Sequence, residues 1–109
     1  MSDTLEQRCE RLREPVLQLA ALSLGSTVSP KDMDETLAAA QRVQAILDED
    51  SSGIASGAFS DWLPIGRQVI ASMVAALERG DGAESYRLFT DKTDGFYRLG
   101  LGCAGFPGW

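Results

Sequence analysis

The stretch RGDGAES, residues 79–85, holds two helix ends within seven residues and decides how the chain must turn. Gly80 can end the helix before it, because the residue just past a helix often needs a left-handed φ that only glycine adopts without cost. Asp81 is placed to cap the next helix, and Glu84, three residues on, has the spacing of a capping box. A connection this short returns the chain on itself, so the two flanking helices are expected to be antiparallel.

Helical periodicity extends both ways from this turn, and strand-like alternation is nearly absent. Upstream, a third helix is expected to start at Ser60 or Asp61, with Pro64 in its tolerated first turn. Trp62, Ile65, Val69, Met73 and Leu77 line one face, and Ile70 and Val74 widen it. Downstream, Tyr86, Phe89 and Phe96 mark the buried side of a fourth helix, Thr93 shares it, and Asp94-Gly95 weakens its far end. The stretch SPKD, residues 29–32, opens a second helix with Ser29 as cap, Pro30 as first residue and Asp32 as acidic partner. Met33, Leu37, Ala40, Val43 and Leu47 form its stripe, and Ala38, Ala39 and Ala45 permit close helix approach. Near the N-terminus, Leu5, Cys9, Leu12, Val16 and Leu19 recur at heptad-like steps. Asp3 or Ser2 is the expected cap of this first helix, and Pro15 should kink it near Arg11 or break it in two.

The expected fold class is therefore all-α: an antiparallel up-down-up-down four-helix bundle over residues 1–98, followed by a Gly/aromatic C-terminal tail over 99–109. In architecture alone this resembles the haem-binding four-helix bundles of the cytochrome type.

Net charge is −6 over 109 residues, with ten basic side chains. Phosphate neutralisation needs clustered Lys and Arg, so neither nucleic acid nor an anionic membrane surface is an expected partner. Arg8, Arg11 and Arg13 are the one dense basic group, and Glu6, Glu10 and Glu14 thread among them as a solvated, charge-paired face. The N-terminal segment lacks the apolar core of a signal peptide, and no apolar run is long enough to span a membrane. A cytoplasmic location follows, in which Cys9 and Cys103 are expected to stay thiols. Cys9 should act as a small core hydrophobe, and Cys103 should be accessible in the tail.

The chain has no histidine, which removes triads, Cys-His pairs and imidazole ligation of haem. It has no Cys-x-x-Cys pair and no glycine-rich phosphate loop, so no catalytic residue, metal ligand or cofactor is assigned. Carboxylate-only catalysis has no pair that singles itself out. In DEDSSG, residues 48–53, Asp48, Asp50, Ser52 and Gly53 match the start of an EF-hand loop. Phe59 then stands where the bidentate glutamate belongs and Ala55 replaces the usual larger aliphatic, so the stretch reads as an acidic helix end entering a flexible loop.

The tail LGLGCAGFPGW, residues 99–109, combines four glycines with Leu101, Phe106 and Trp109 and should not form a stable helix. Its apolar surface should pack over the open end of the bundle, on a protein partner or on a second copy of the chain; alternatively Cys103 is the reactive atom of a modification substrate. The expected function is a small non-enzymatic cytoplasmic interaction module of the adaptor, chaperone or subunit-stabilising type. Its contacts would be Trp62, Cys103, Phe106 and Trp109, together with the apolar sector of the third helix and the alanine face of the second. The alternative is a small-ligand or cofactor-binding bundle with a pocket between Trp62, Met73, Tyr86, Phe89 and Phe96.

Overall fold

In the computed structural model, which describes residues 2–109, helix α1 spans Leu5–Ser23, α2 Pro30–Leu47, α3 Ala58–Glu78, α4 Gly82–Phe89 and α5 Tyr97–Gly102. A 3-10 turn, Gly25–Thr27, joins α1 to α2. The described residues are all-α, and no strand occurs among them. Helix α2 packs on both α1 and α3, and α4 and α5 both pack on α3.

The cap of α1 is Thr4 rather than Asp3 or Ser2. The Gln7 amide donates to Thr4 Oγ1, and the Thr4 amide donates to Gln7 Oε1, a reciprocal capping box. Asp3 is withdrawn from capping because Arg8 and Arg11 both donate to its Oδ2, at 3.0 and 2.6 Å. Helix α1 also runs unbroken past the buried Pro15, so the expected break is absent. An interior proline costs about 3 kcal/mol. Leu12 and Leu19, fully buried on either side of it, each contribute about 1.5–3 kcal/mol of burial, which outweighs that cost.

At Gly80 and Asp81 the turn chemistry is as read. Gly80 has φ +81°, with the Asp81 amide donating to Ala76 O and the Gly80 amide to Leu77 O, a Schellman closure. Asp81 Oδ1 accepts from the Glu84 amide at 3.0 Å. The Glu84 carboxylate does not reach back as a capping box requires; it pairs with Arg87.

Two expectations fail at other helix ends. Helix α3 begins at Ala58, two to three residues early, because Ser60 Oγ accepts from the Gly57 amide and closes the first turn there. Pro64 therefore lies a turn deeper than expected. The fourth helix stops at Phe89 instead of running through Phe96. Asp91 Oδ1 accepts from the amides of both Thr93 and Asp94, a local turn that competes with helix. Thr93 is exposed, and Tyr86 and Phe89 are only partly buried.

The arginine-rich face is not wholly solvated either. Arg8 is fully buried, donating through Nη1 to Ile46 O and through Nη2 to Asp50 O. From α3, Arg67 donates to Leu47 O and Glu49 O. Helix α2 has no basic residue in its own last turn, so Arg67 meets its Leu47 carbonyl and two arginines from other helices face the negative end of its dipole. These bonds, with the burial of Ile54, order the residues after α2 that composition marked as flexible.

Substituting Arg8→Met should cost about 1.5–3 kcal/mol, since it removes a fully buried guanidinium's charge-assisted hydrogen bonds to Asp3, Ile46 O and Asp50 O. Arg79→Met, at an exposed pair 3.9 Å from Asp81, should fall within about 0.5 kcal/mol of the parent. Urea unfolding of both variants checks the contrast.

Candidate functional site

The C-terminal residues take up a defined course against α1. Helix α5 straddles the expected boundary at residue 98, so residues 99–102 are helical after all. Leu99 is buried, and Gly102 lies so close to α3 that a Cβ there would stand 2.9 Å from Phe59 Cα. This packing, unavailable to an isolated glycine-rich peptide, holds the helix despite its poor propensity. Cys103 follows, fully buried and disulfide-bonded to Cys9 of α1, 94 residues away in sequence. Both expectations for the cysteines are corrected: neither is a thiol, and Cys103 is not accessible, which removes it as a modification target or contact residue. Long sequence separation did not argue against the bond, because α1 and the end of the chain are neighbours in space, with Cα atoms 5.7 Å apart.

Past Cys103 the chain turns at Gly105 and Gly108, with φ +94° and +85°. Phe106 and Trp109 lie partly buried against the core, and Trp109 Nε1 donates to Cys9 O at 2.9 Å. The tail thus crosses α1 and leaves a groove on each side. One, about 760 Å³, is lined by Asp3, Glu6, Glu10, Arg11, Phe106 and Pro107. The other, about 470 Å³, is lined mainly by Arg13, Glu14, Val16, Leu17, Ala20 and Trp109.

The first groove is electrostatically closed on itself. Arg11 binds Asp3 and grips Glu49 through two nitrogens, at 2.6 and 2.5 Å. Hydrogen bonds from Arg8 and Arg11 hold the Asp3 carboxyl below its usual 3.8, and that from Arg11 holds Glu49 below its usual 4.5. The second groove continues into an exposed apolar row. Leu17, Leu24 and Val28 are 68%, 61% and 85% exposed, and Ala20 and Ala21 are exposed between them. Steps of three to four residues put Leu17, Ala20, Ala21 and Leu24 on the outward side of α1, and Val28 follows in the turn after the 3-10 segment.

The residues singled out from the sequence do not share one place. Trp62 is fully buried, donates through Nε1 to Asp94 O, and meets Phe96 edge-on at 5.3 Å, while Phe96 stacks on Phe89 at 5.0 Å. These three rings fill space against each other. Met73 is buried eleven residues further along α3, about 16 Å along the axis, and so outside that cluster. Tyr86 is partly buried on α4. The α3 sector and the α2 alanines Ala39 and Ala40 are consumed inside the fold. Leu17, Leu24 and Val28 were missed because they fall off the heptad seam. Their signal was the excess of leucine in LQLAALSL, residues 17–24, more than one buried stripe can hold. At the acidic loop, Asp50 Oδ2 accepts from Ser52 and the Asp50 carbonyl from Ser2 and Arg8. Among the described residues no group of three His, Cys, Asp or Glu side chains is placed to hold a metal ion.

Two outcomes follow. Replacing both cysteines by alanine should lower stability by about 2–4 kcal/mol, because the bond closes a long loop in the unfolded chain. That is about 10–20 °C in melting temperature, and an excess of reducing agent should give a similar shift by calorimetry. Acids with depressed pKa values stabilise the fold above their unfolded values and lose that contribution as pH falls through the folded ones. Stability should therefore hold above about pH 5 and decline below about pH 4, with a shallower decline in Asp3→Asn, read from urea midpoints across that range.

No protein-family model, curated protein or solved structure matches this chain.

Proposed function

We propose that this chain is a small non-enzymatic protein-interaction module that binds its partner through the outward face of α1 and the flanking tail. The observation that carries this reading is the exposed row Leu17, Leu24 and Val28 on a chain whose other large apolar residues on α1 and α3 are buried or partly buried. Single exposed leucines need no explanation, but a helix-spaced row beside an apolar groove has the form of a contact surface. Of the residues first assigned to partner binding, Trp109 remains beside this surface and Phe106 lines the groove on the other side of the tail, whereas Trp62 and Cys103 act inside the fold.

The same proposal takes the helices as an up-down-up-down bundle, with α4 and α5 together as the fourth rod. The packing of α1 on α2 and α2 on α3, and the contact of α1 with α4, support that order. The disulfide moves the expected compartment. A bond between buried cysteines is maintained under oxidising conditions, so a non-reducing compartment fits this chain better than cytoplasm. No helix among the described residues is long and apolar enough to cross a membrane. The ligand-binding alternative gains no support, since Trp62, Phe89 and Phe96 occupy the space a ligand would need.

The test is capture of partners by the immobilised, oxidised chain. Leu24→Arg, at an exposed position, should abolish capture while the melting temperature moves by less than about 3 °C, as ΔΔG at such sites stays near 0.5 kcal/mol. Capture that survives Leu24→Arg and Leu17→Arg alike would refute the assignment of this face.

A further inference from the structure

The six residues after the disulfide touch the rest of the chain at few points. The amides of Ala104, Phe106 and Trp109 donate to Leu101 O, Cys103 O and Phe106 O, so these bonds stay within the C-terminal segment itself. Ala104, Gly105, Pro107 and Gly108 are exposed, and Phe106 and Trp109 are only partly buried. Among the described residues, the indole bond to Cys9 O is the one hydrogen bond that ties residues 104–109 to another element. The parts on either side are seated firmly. Leu99 is buried and Gly102 abuts Phe59 Cα, which holds α5 on α3. Arg8, the neighbour of Cys9 on α1, is bonded to Asp3, Ile46 O and Asp50 O. Two thiols need more room than two bonded sulfurs, and the close-packed site of these fully buried side chains does not supply it. With α1 and α5 both held, the part that gives way on reduction is the segment from Cys103 onward.

We propose that the Cys9–Cys103 bond is a redox latch and that residues 104–109 are the strap it holds down. A dithiol reductant attacks one sulfur as a thiolate, forms a mixed disulfide and leaves as its own disulfide. The two electrons it gives up break the Cys9–Cys103 bond, and two protons complete the two cysteine thiols. The strap then lifts from α1. Both grooves lose the wall that Phe106, Pro107 and Trp109 provide, and the Cys9 turn of the α1 seam is uncovered. Both sulfurs are fully buried, so the reductant reaches them only while the strap is open, and the strap sets the rate of its own release. The latch is separate from the reading of α1 as a contact face and operates without a partner.

The test compares the oxidised chain with the chain treated with dithiothreitol at neutral pH without denaturant. Reduction should go to completion and leave the helical circular dichroism in place, with both thiols then open to iodoacetamide. Acrylamide quenching of tryptophan fluorescence should rise and the emission should shift to the red. Neither change should occur in reduced Trp109→Phe, whose remaining indole, Trp62, is fully buried. Trp109→Ala should be reduced at least about tenfold faster than the parent, since the strap loses its largest ring and its indole bond. A disulfide that resists the dithiol until the helices melt overturns the latch. So does a reduced, helical chain whose Trp109 stays as shielded as in the oxidised one. A Trp109→Ala chain reduced no faster than the parent overturns it as well.

Discussion

The covalent tie between Cys9 and Cys103 is the constraint on which the rest of the molecule depends. It joins the second turn of the first helix to the residue after the last one, closing a loop of nearly the whole chain. Without it, six further residues with two glycines at positive φ would have only partial burial to order them. With it, they begin from a fixed point on α1, and two short turns of chain bring the Trp109 indole to the Cys9 carbonyl. The grooves beside the tail exist because its start is pinned, and so the surface chemistry at this end of the molecule is a product of the disulfide.

A second constraint holds the middle of the chain. Helix α2 ends without a basic residue or a glycine closure, leaving carbonyls that must find donors. Arg67 supplies one to Leu47 O from α3, and Arg8 of α1 adds bonds to Ile46 O and, past the helix, to Asp50 O while carrying Asp3 on its other edge. A buried cation of this kind is tolerable only when fully hydrogen-bonded, which makes it a lock on helix position rather than a large net source of stability. The three long helices are thereby coupled at one end through polar atoms, while their apolar stripes meet along their length.

With those two constraints satisfied, the apolar surface divides cleanly. The seam of α1, the stripe of α2 and the wide sector of α3 face inward, and the aromatic rings Trp62, Phe89 and Phe96 pack on one another. What remains outside is the row on α1 that belongs to neither seam nor cap, together with Tyr97 and Leu101 of α5. A contact surface built on a helix, beside a disulfide-fixed wall, is rigid before anything binds. Such a surface loses little conformational entropy on association.

Much of this was legible in the sequence, for local reasons. Gly80 and Asp81 set their turn because left-handed φ and side-chain capping are properties of single residues. Pro30 opened α2 at its expected first position, although the Ser29 side chain makes no capping bond and Asp32 closes no capping box, and the seam Leu5, Cys9, Leu12, Val16 and Leu19 followed from a period of 3.6. The all-α class rests on such repeats, which need no knowledge of what lies opposite. The pairing of Cys9 with Cys103, the burial of Arg8, the helix over Gly100 and Gly102 and the outward row on α1 were decided by tertiary structure. Each depends on which groups from distant parts of the chain come to within a few ångströms of one another. A local pattern can say that a leucine or an arginine sits on a helix face, but only the packed neighbours decide whether that face meets protein or water.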